Sequence, residues 1–173
     1  VVGNIDISKQ QHLAIEYMAE IKKIYPKMTL HIIGDKECPY KRHIMKLVHD
    51  LHLEDNVVFD GFVSNVEDIY SRFDVLLMCS RAEAFGRVTI EAMLRNIPVI
   101  GFDSGGTSEL IDDRVSGFKF TTLNDVMDAL SVLVHDKEKA QEIVDTARER
   151  AEKNFSEDVY VNNVYRFIHE NFK

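Results

Sequence analysis

The 173 residues carry 29 acidic and 21 basic side chains, a formal net charge of −8, with 45% hydrophobic and 29% charged residues. Those proportions are those of an ordinary globular chain and exclude disordered and collagen-like classes. No run of about 18 apolar residues offers a membrane span, no basic start leads into an apolar signal segment, and no basic cluster exceeds Lys22-Lys23 or Lys41-Arg42, which argues against a nucleic-acid surface.

Taken in chain order, short apolar runs alternate with amphipathic stretches. Val1-Val2, ending at Gly3, is expected to be the tail of a strand. Residues 29–33 run to Gly34, 57–59 to the neighbourhood of Gly61, 75–78 to Cys79, and 97–100 to Gly101. Such runs, bounded by Gly or Pro, predict buried parallel strands. Residues 117–120 alternate and predict a last, edge strand. Between the strands, Ala14, Tyr17, Met18, Ile21 and Ile24 mark one helix face, and Ile44, Leu47, Val48 and Leu51 a second. Ser64 to Glu67 has the form of a capping box and Thr122 to Asp125 a weaker one. Met18, Met45, Met93 and Met127 fall at core spacing. Tyr160, Val164, Phe167 and Ile168 pattern a terminal helix, either an ordinary core helix or one apolar on two sides. The order is that of a single α/β domain over residues 1–173: an open parallel sheet of about six strands with helices on both faces. A start on a strand tail without Met suggests a domain cut from a longer protein. Cys38 and Cys79 are far apart and suggest no disulfide framework.

In open parallel sheets, ligands sit beyond the carboxyl ends of the strands where strand order reverses. That rule brings three loops together: the one carrying Lys9, the one from Ser80 to Arg87, and the one around Gly105 and Gly106. A helix starting near Arg87 presents unpaired N–H groups and about half a positive charge. Gly86 lets an anion approach the backbone closely. With Lys9 opposite, the arrangement suits a diphosphate without a Walker sequence. Glu91, a turn into the helix, suits the vicinal diol of a ribose, and Glu83 suits hydroxyls on the far side of the diphosphate. Taken singly, each glutamate reads as an ordinary solvated loop or helix-start acid; it is the whole constellation that points to a ligand. Glu109 either touches a donor sugar or caps its own helix, and Asp112-Asp113 reads as a solvated turn. His49 and His52 are three residues apart without further ligands, so no metal site is expected.

The segment from Ser80 to Met93, with Glu83 and Glu91 separated by seven residues, Phe85-Gly86 inside and Glu91-Ala92-Met93 at the end, resembles the signature of retaining glycosyltransferases of family 4. Residues 97–109, Ser116 to Phe118 and the start from Val2 to Ile15 are similar to the same family. The resemblance implies one half of the two-domain GT-B fold, namely the C-terminal, Rossmann-like, nucleotide-sugar-binding half. Its own N-terminal acceptor domain is the expected partner. It implies that Lys9 and the amides near Gly86, Arg87 and Val88 hold a diphosphate. Glu91 would bind the ribose and Glu83 the transferred sugar, with Gly34, Phe62 and Val63 bordering the base and Gly105 and Gly106 lining the donor site. Glu83 and Lys9 are the expected catalytic groups. The implied reaction moves a sugar from a nucleotide-diphosphate donor, UDP being the commonest in bacterial members, to a glycan or lipid-linked acceptor. No metal or other cofactor is expected. The place would be the cytoplasm, with contact at the inner membrane face through the other domain. Two positions depart from the pattern: Asn4 stands where many members have Arg, leaving Arg81 or Arg87 as the second cation, and Gln10 replaces a frequent Gly. A dehydrogenase is disfavoured by the lack of G-x-G-x-x-G, and a P-loop enzyme by the lack of Gly-Lys-Ser or Gly-Lys-Thr. A sugar-nucleotide epimerase, a phosphorylase or a non-catalytic interaction module remain as alternatives.

Overall fold

The computed structural model describes residues 1–171. Their strands are β1 (Leu30–Ile33), β2 (Val57–Gly61), β3 (Leu76–Met78), β4 (Val99–Phe102) and β5 (Phe118–Phe120). Their helices are α1 (Gln11–Ile24), α2 (Pro39–Asp50), α3 (Val66–Tyr70), α4 (Arg87–Leu94), α5 (Gly105–Leu110), α6 (Leu123–His135), α7 (Lys137–Phe155) and α8 (Glu157–Asn171). All pairings are parallel: β1 with β2, and β4 between β3 and β5. β5 is the edge strand that its alternating sequence predicted.

The strand expected at Val1-Val2 is reduced to a bridge between Val2 and Ile33, so five strands form among the described residues where about six were expected. Val1 N donates to His31 O at 2.8 Å, Val1 O accepts from Ile33 N at 2.9 Å and Gly3 N donates to Ile33 O at 2.9 Å, so the segment runs beside β1. An apolar cavity of about 580 Å³ lies where the two half-sheets face each other, with Val2, His31 and Ile33 on one side and Val75 and Leu77 on the other.

Strand residues alternate between two cores, as period-two geometry requires. Ile100 and Phe102 join a core shared with α1, α2 and α6, whereas Val99 joins one shared with α3, α4 and α5. α7 contributes Ile143 to the first core and Ala147 and Ala151 to the second. Helices therefore cover both faces of a Rossmann-like α/β domain. Ile15, Ile32 and Ile44 are fully buried, and burying such a side chain is worth about 1.5–3 kcal/mol.

Three expectations need correction. Ile24 is 62% exposed and Met45 49% exposed, because each sits at the margin of its helix's apolar face and no neighbour covers it. Helix α3 starts one residue later than the Ser64 pattern suggested: Asn65 is the N-cap and accepts from Glu67 N at 3.1 Å, so no capping box forms. The box at Thr122 does form, with Asp125 accepting from both Thr121 N and Thr122 N. The side chain of Tyr160 lies outside the described residues, while Val164, Phe167 and Ile168 of the same helix are exposed.

Candidate functional site

The crevice is built from the loops at the carboxyl ends of the strands. In the first loop, Asp6 accepts from Ser8 N at 3.0 Å and so caps a short 3-10 turn, Ile7–Lys9. Gln10, in the left-handed region at φ 51, ends that turn and launches α1. This reversal lays the Lys9 stem over Gly3, where an added Cβ would lie 3.7 Å from Lys9 Cε. Lys9 Nζ then reaches Glu83 Oε2 at 2.5 Å. Ser80 Oγ donates to Ser8 O at 3.2 Å and ties the Lys9 turn to the end of β3.

The second loop ends at Gly86, whose φ of 82 is the left-handed conformation that favours glycine. Gly86 is the N-cap of α4, has no side chain to cap with, and leads into a first turn without acidic residues. The Arg87 and Val88 amides have no partner within their own helix and face the loop side with the positive end of the helix dipole. Arg87 is exposed and forms no ion pair among the described residues. Arg81 is engaged elsewhere, its guanidinium 4.9 Å from the centroid of the Phe102 ring. Of the two cations proposed to stand in for a missing Arg at Asn4, Arg87 is the one left free. Asn4 itself is exposed, and its carbonyl accepts from Gln11 Nε2 at 2.9 Å.

Lys9 and Glu83 neutralise each other, which leaves Arg87 and the α4 start, among the described residues, as the unpaired positive groups beside Glu91. Glu91 lies a turn further along α4, partly buried, and its Oε2 accepts from the Tyr70 hydroxyl at 3.1 Å. Burial and the Glu91 charge hold the Tyr70 phenol well above its ordinary pKa, so it stays protonated and donates to Glu91.

Gly105 and Gly106 stand behind the Glu83 loop. The Gly106 amide donates to Glu83 O at 2.7 Å. A Cβ at Gly105 would lie 2.8 Å from Glu83 O, and one at Gly106 2.8 Å from Ala84 O. Their visible task is to let the two loops touch backbone to backbone. Ser104 Oγ adds a bond to Arg81 O at 2.8 Å.

Three other glycines fasten the tips of the first strands together. Gly3 N donates to Ile33 O at 2.9 Å and Gly34 N to Gly61 O at 2.7 Å. A Cβ at Gly34, where φ is 125, would lie 2.1 Å from Gly3 O. Just beyond Gly61, Phe62 is 78% exposed and Val63 is half-buried against the second core. The structure thus brings Lys9 to Glu83 and Glu83 to Gly86, whose added Cβ would lie 3.5 Å from Glu83 Cγ, with Arg87 and Val88 next along α4 and Glu91 joined to Val88 through the Tyr70 hydroxyl. Gly34 packs against Gly3 under the Lys9 turn, and no hydrogen bond or ion pair among the described residues joins Phe62 or Val63 to the Lys9–Glu83 pair.

Tyr70, Ser80 and Gly3 were not singled out from the sequence. Tyr70 had one available signal, a hydroxyl at a position of α3 that faces the core. No group of His, Cys, Asp or Glu with metal-holding geometry occurs among the described residues. The Cys79 thiol is fully buried and pushed up to about 12 by that burial, so it is no nucleophile. Asp112, expected to be a solvated turn, pairs with Arg150 at 2.6 Å, and Arg150 also donates to Glu109 O. Neither the 580 Å³ cavity nor a second of about 740 Å³ beneath α6 and α7 includes Lys9, Glu83 or Glu91.

Residues 1–150 match the family described as glycosyl transferases group 1. The chain belongs to that family. Among curated group 1 relatives, it is 33% identical over 157 residues to N-acetyl-alpha-D-glucosaminyl L-malate synthase of Bacillus anthracis, covering 90% of this chain and 40% of that protein. It is 30% identical over 162 residues to poly(ribitol-phosphate) alpha-N-acetylglucosaminyltransferase of Staphylococcus aureus, covering 90% of this chain and 32% of that protein. The chain therefore spans well under half the length of these relatives. Among solved structures, it superimposes on Anabaena HepE in complex with UDP with a TM-score of 0.90 at 25% identity, covering 98% of this chain and 47% of that one. HepE in complex with UDP-glucose matches with a TM-score of 0.89 at 26% identity, again over 98% of this chain and 47% of that one. Group 1 transferases move sugars from nucleotide-sugar donors, and this domain has their GT-B half-fold. No helix among the described residues is long and apolar enough to cross a membrane.

Proposed function

We propose that this chain is the C-terminal, donor-binding half of a retaining glycosyltransferase of family 4, acting on a UDP-linked sugar and a glycan or lipid-linked acceptor. The observation that carries the reading is that Lys9 bonds Glu83 and Glu83 abuts Gly86, the uncapped start of α4. The likeness to HepE, solved with UDP and with UDP-glucose, supports the choice of nucleotide.

In this reading the diphosphate lies across the α4 start. The Arg87 and Val88 amides and the helix dipole meet one phosphate. Lys9 Nζ has three donor protons, so it can keep Glu83 and still bond a phosphate oxygen. As the sugar–phosphate bond breaks, negative charge grows on the leaving diphosphate, and Lys9 and Arg87 stabilise it. Removing one such contact costs about 3–4 kcal/mol of barrier. Glu83, held by Lys9, presents its second oxygen to hydroxyls of the transferred sugar, and Glu91 accepts from the ribose diol. These cations replace a metal, so donor binding is expected to survive a chelator. The acceptor-side groups belong to the N-terminal domain, and the isolated chain is expected to bind nucleotide without transferring sugar. In the cell the enzyme would work in the cytoplasm, at the inner face of the membrane when its acceptor is lipid-linked.

Calorimetric titration of the chain with UDP, GDP and ADP, with and without chelator, tests the reading. Saturable binding of UDP, tighter than of GDP or ADP and unchanged by chelation, is expected. Absence of heat with all three at concentrations far above that of the protein sinks it.

A further inference from the structure

Glu91 sits at the centre of a chain of contacts that no role in the crevice has yet explained. Tyr70 ends α3 and is 4% exposed. Its hydroxyl lies 3.1 Å from Glu91 Oε2 and 3.3 Å from Val88 O. A phenol has one proton to give, and a carboxylate is the stronger acceptor of the two. The ring is held from the other side. The Arg95 guanidinium lies 5.3 Å from its centroid, bonds Glu91 O at 3.1 Å, and pairs with Glu67 Oε1 at 2.5 Å. A glutamate on a helix surface otherwise samples several rotamers. Here one of its oxygens is fixed from below, which leaves the remaining lone pairs in one orientation. Val88, whose amide stands at the open helix start, is the other residue that the same hydroxyl touches.

We propose that Tyr70 is a positioning residue for nucleotide recognition: its hydroxyl orients the Glu91 carboxylate towards a ligand's vicinal diol and so sets the preference for a ribose over a 2′-deoxyribose. This rests on the reading of Glu91 as the ribose-binding group. Arg95 and Glu67 clamp the Tyr70 ring and act one step further back.

The test is calorimetric titration of the chain, and of its Tyr70→Phe, Glu91→Ala and doubly substituted variants, with UDP and with 2′-deoxy-UDP, after thermal melts show that each variant folds. The phenylalanine keeps the ring and removes only the hydroxyl. Wild type is expected to favour UDP by about tenfold or more, the discrimination of a good hydroxyl contact. Tyr70→Phe should lose most of that preference through weaker UDP binding, with 2′-deoxy-UDP nearly unchanged. In the Glu91→Ala background the same substitution should change nothing further. A Tyr70→Phe variant that weakens both ligands equally would show a merely structural tyrosine and overturn the proposal. One that keeps the ribose preference while Glu91→Ala loses it would overturn the proposal and leave the reading of Glu91 standing. If Glu91→Ala keeps the preference, or wild type binds no UDP, that reading falls and takes the proposal with it.

Discussion

Helices α4 and α6 start in opposite ways. At α6, Thr122 accepts from Asp125 N and Asp125 accepts in return from Thr121 N and Thr122 N, so side chains of the helix start itself close a capping box. At α4, the N-cap is a glycine with no side chain, the first turn has no acid, and the charged groups beside it are Arg87 and the Lys9–Glu83 pair, with Glu83 Cγ 3.5 Å from where a Gly86 Cβ would stand. A capped start stabilises its own helix. An uncapped start flanked by cations leaves its donors for something negative that comes from outside. In the reading proposed above, α4 offers its start to a ligand, whereas α6 closes its own.

Substitutions at the two starts should separate along that line. Lys9→Ala is expected to have the largest effect, weakening UDP binding about 100-fold, or about 2–3 kcal/mol, with little change in the melting temperature; isothermal titration beside a thermal melt measures both. An unchanged affinity would erase the contrast at its functional end. Gly106→Ala comes next. The new Cβ would lie 2.8 Å from Ala84 O, and about 1–3 kcal/mol of stability should be lost as the Glu83 loop is pushed outward, with UDP affinity falling too. Urea unfolding and titration of the same preparation read this. Thr122→Ala should cost about 1 kcal/mol of stability and leave UDP affinity where it was. Weaker binding in that variant would mean that the two ends are coupled.

The smallest effect is one of pH. Hydrogen bonds from the Thr121 and Thr122 amides, and then from the Thr122 hydroxyl, hold the Asp125 carboxyl below the ordinary aspartate range. A carboxylate whose folded pKa is depressed contributes stability above its unfolded value, and that contribution is lost as pH falls through the folded one. Acid unfolding of wild type should therefore show a share, from below the ordinary aspartate range downward, that is reduced in the Asp125→Asn variant. Coincident acid titrations of the two would show that the box adds nothing.

Much of this was legible in the residues alone. Apolar runs ending at Gly34, Gly61 and Gly101 gave the strands because a strand buried on both faces has little choice of residue type. Lys9, Glu83 and Gly86 could be placed together because the loops of a parallel sheet share one edge. What failed was what depends on neighbours rather than pattern. Ile24 and Met45 have helical spacing but nothing lying over them. Asn65 won the cap from Ser64 because either residue type can serve, and one residue of phase decides. That Gly105 and Gly106 let the Glu83 loop touch backbone to backbone was likewise not legible, because it depends on a loop about 20 residues away. Tyr70 lies 21 residues from Glu91 in sequence, and only the packing of α3 on α4 makes them partners.

The fastening of Gly3, Gly34 and Gly61 has a mechanical side. Two amide bonds, Gly3 N to Ile33 O and Gly34 N to Gly61 O, link the turn bearing the lysine to the stretch leading to Phe62 through backbone alone, so a side chain at Gly34, whose Cβ would lie 2.1 Å from Gly3 O, would prise the two apart.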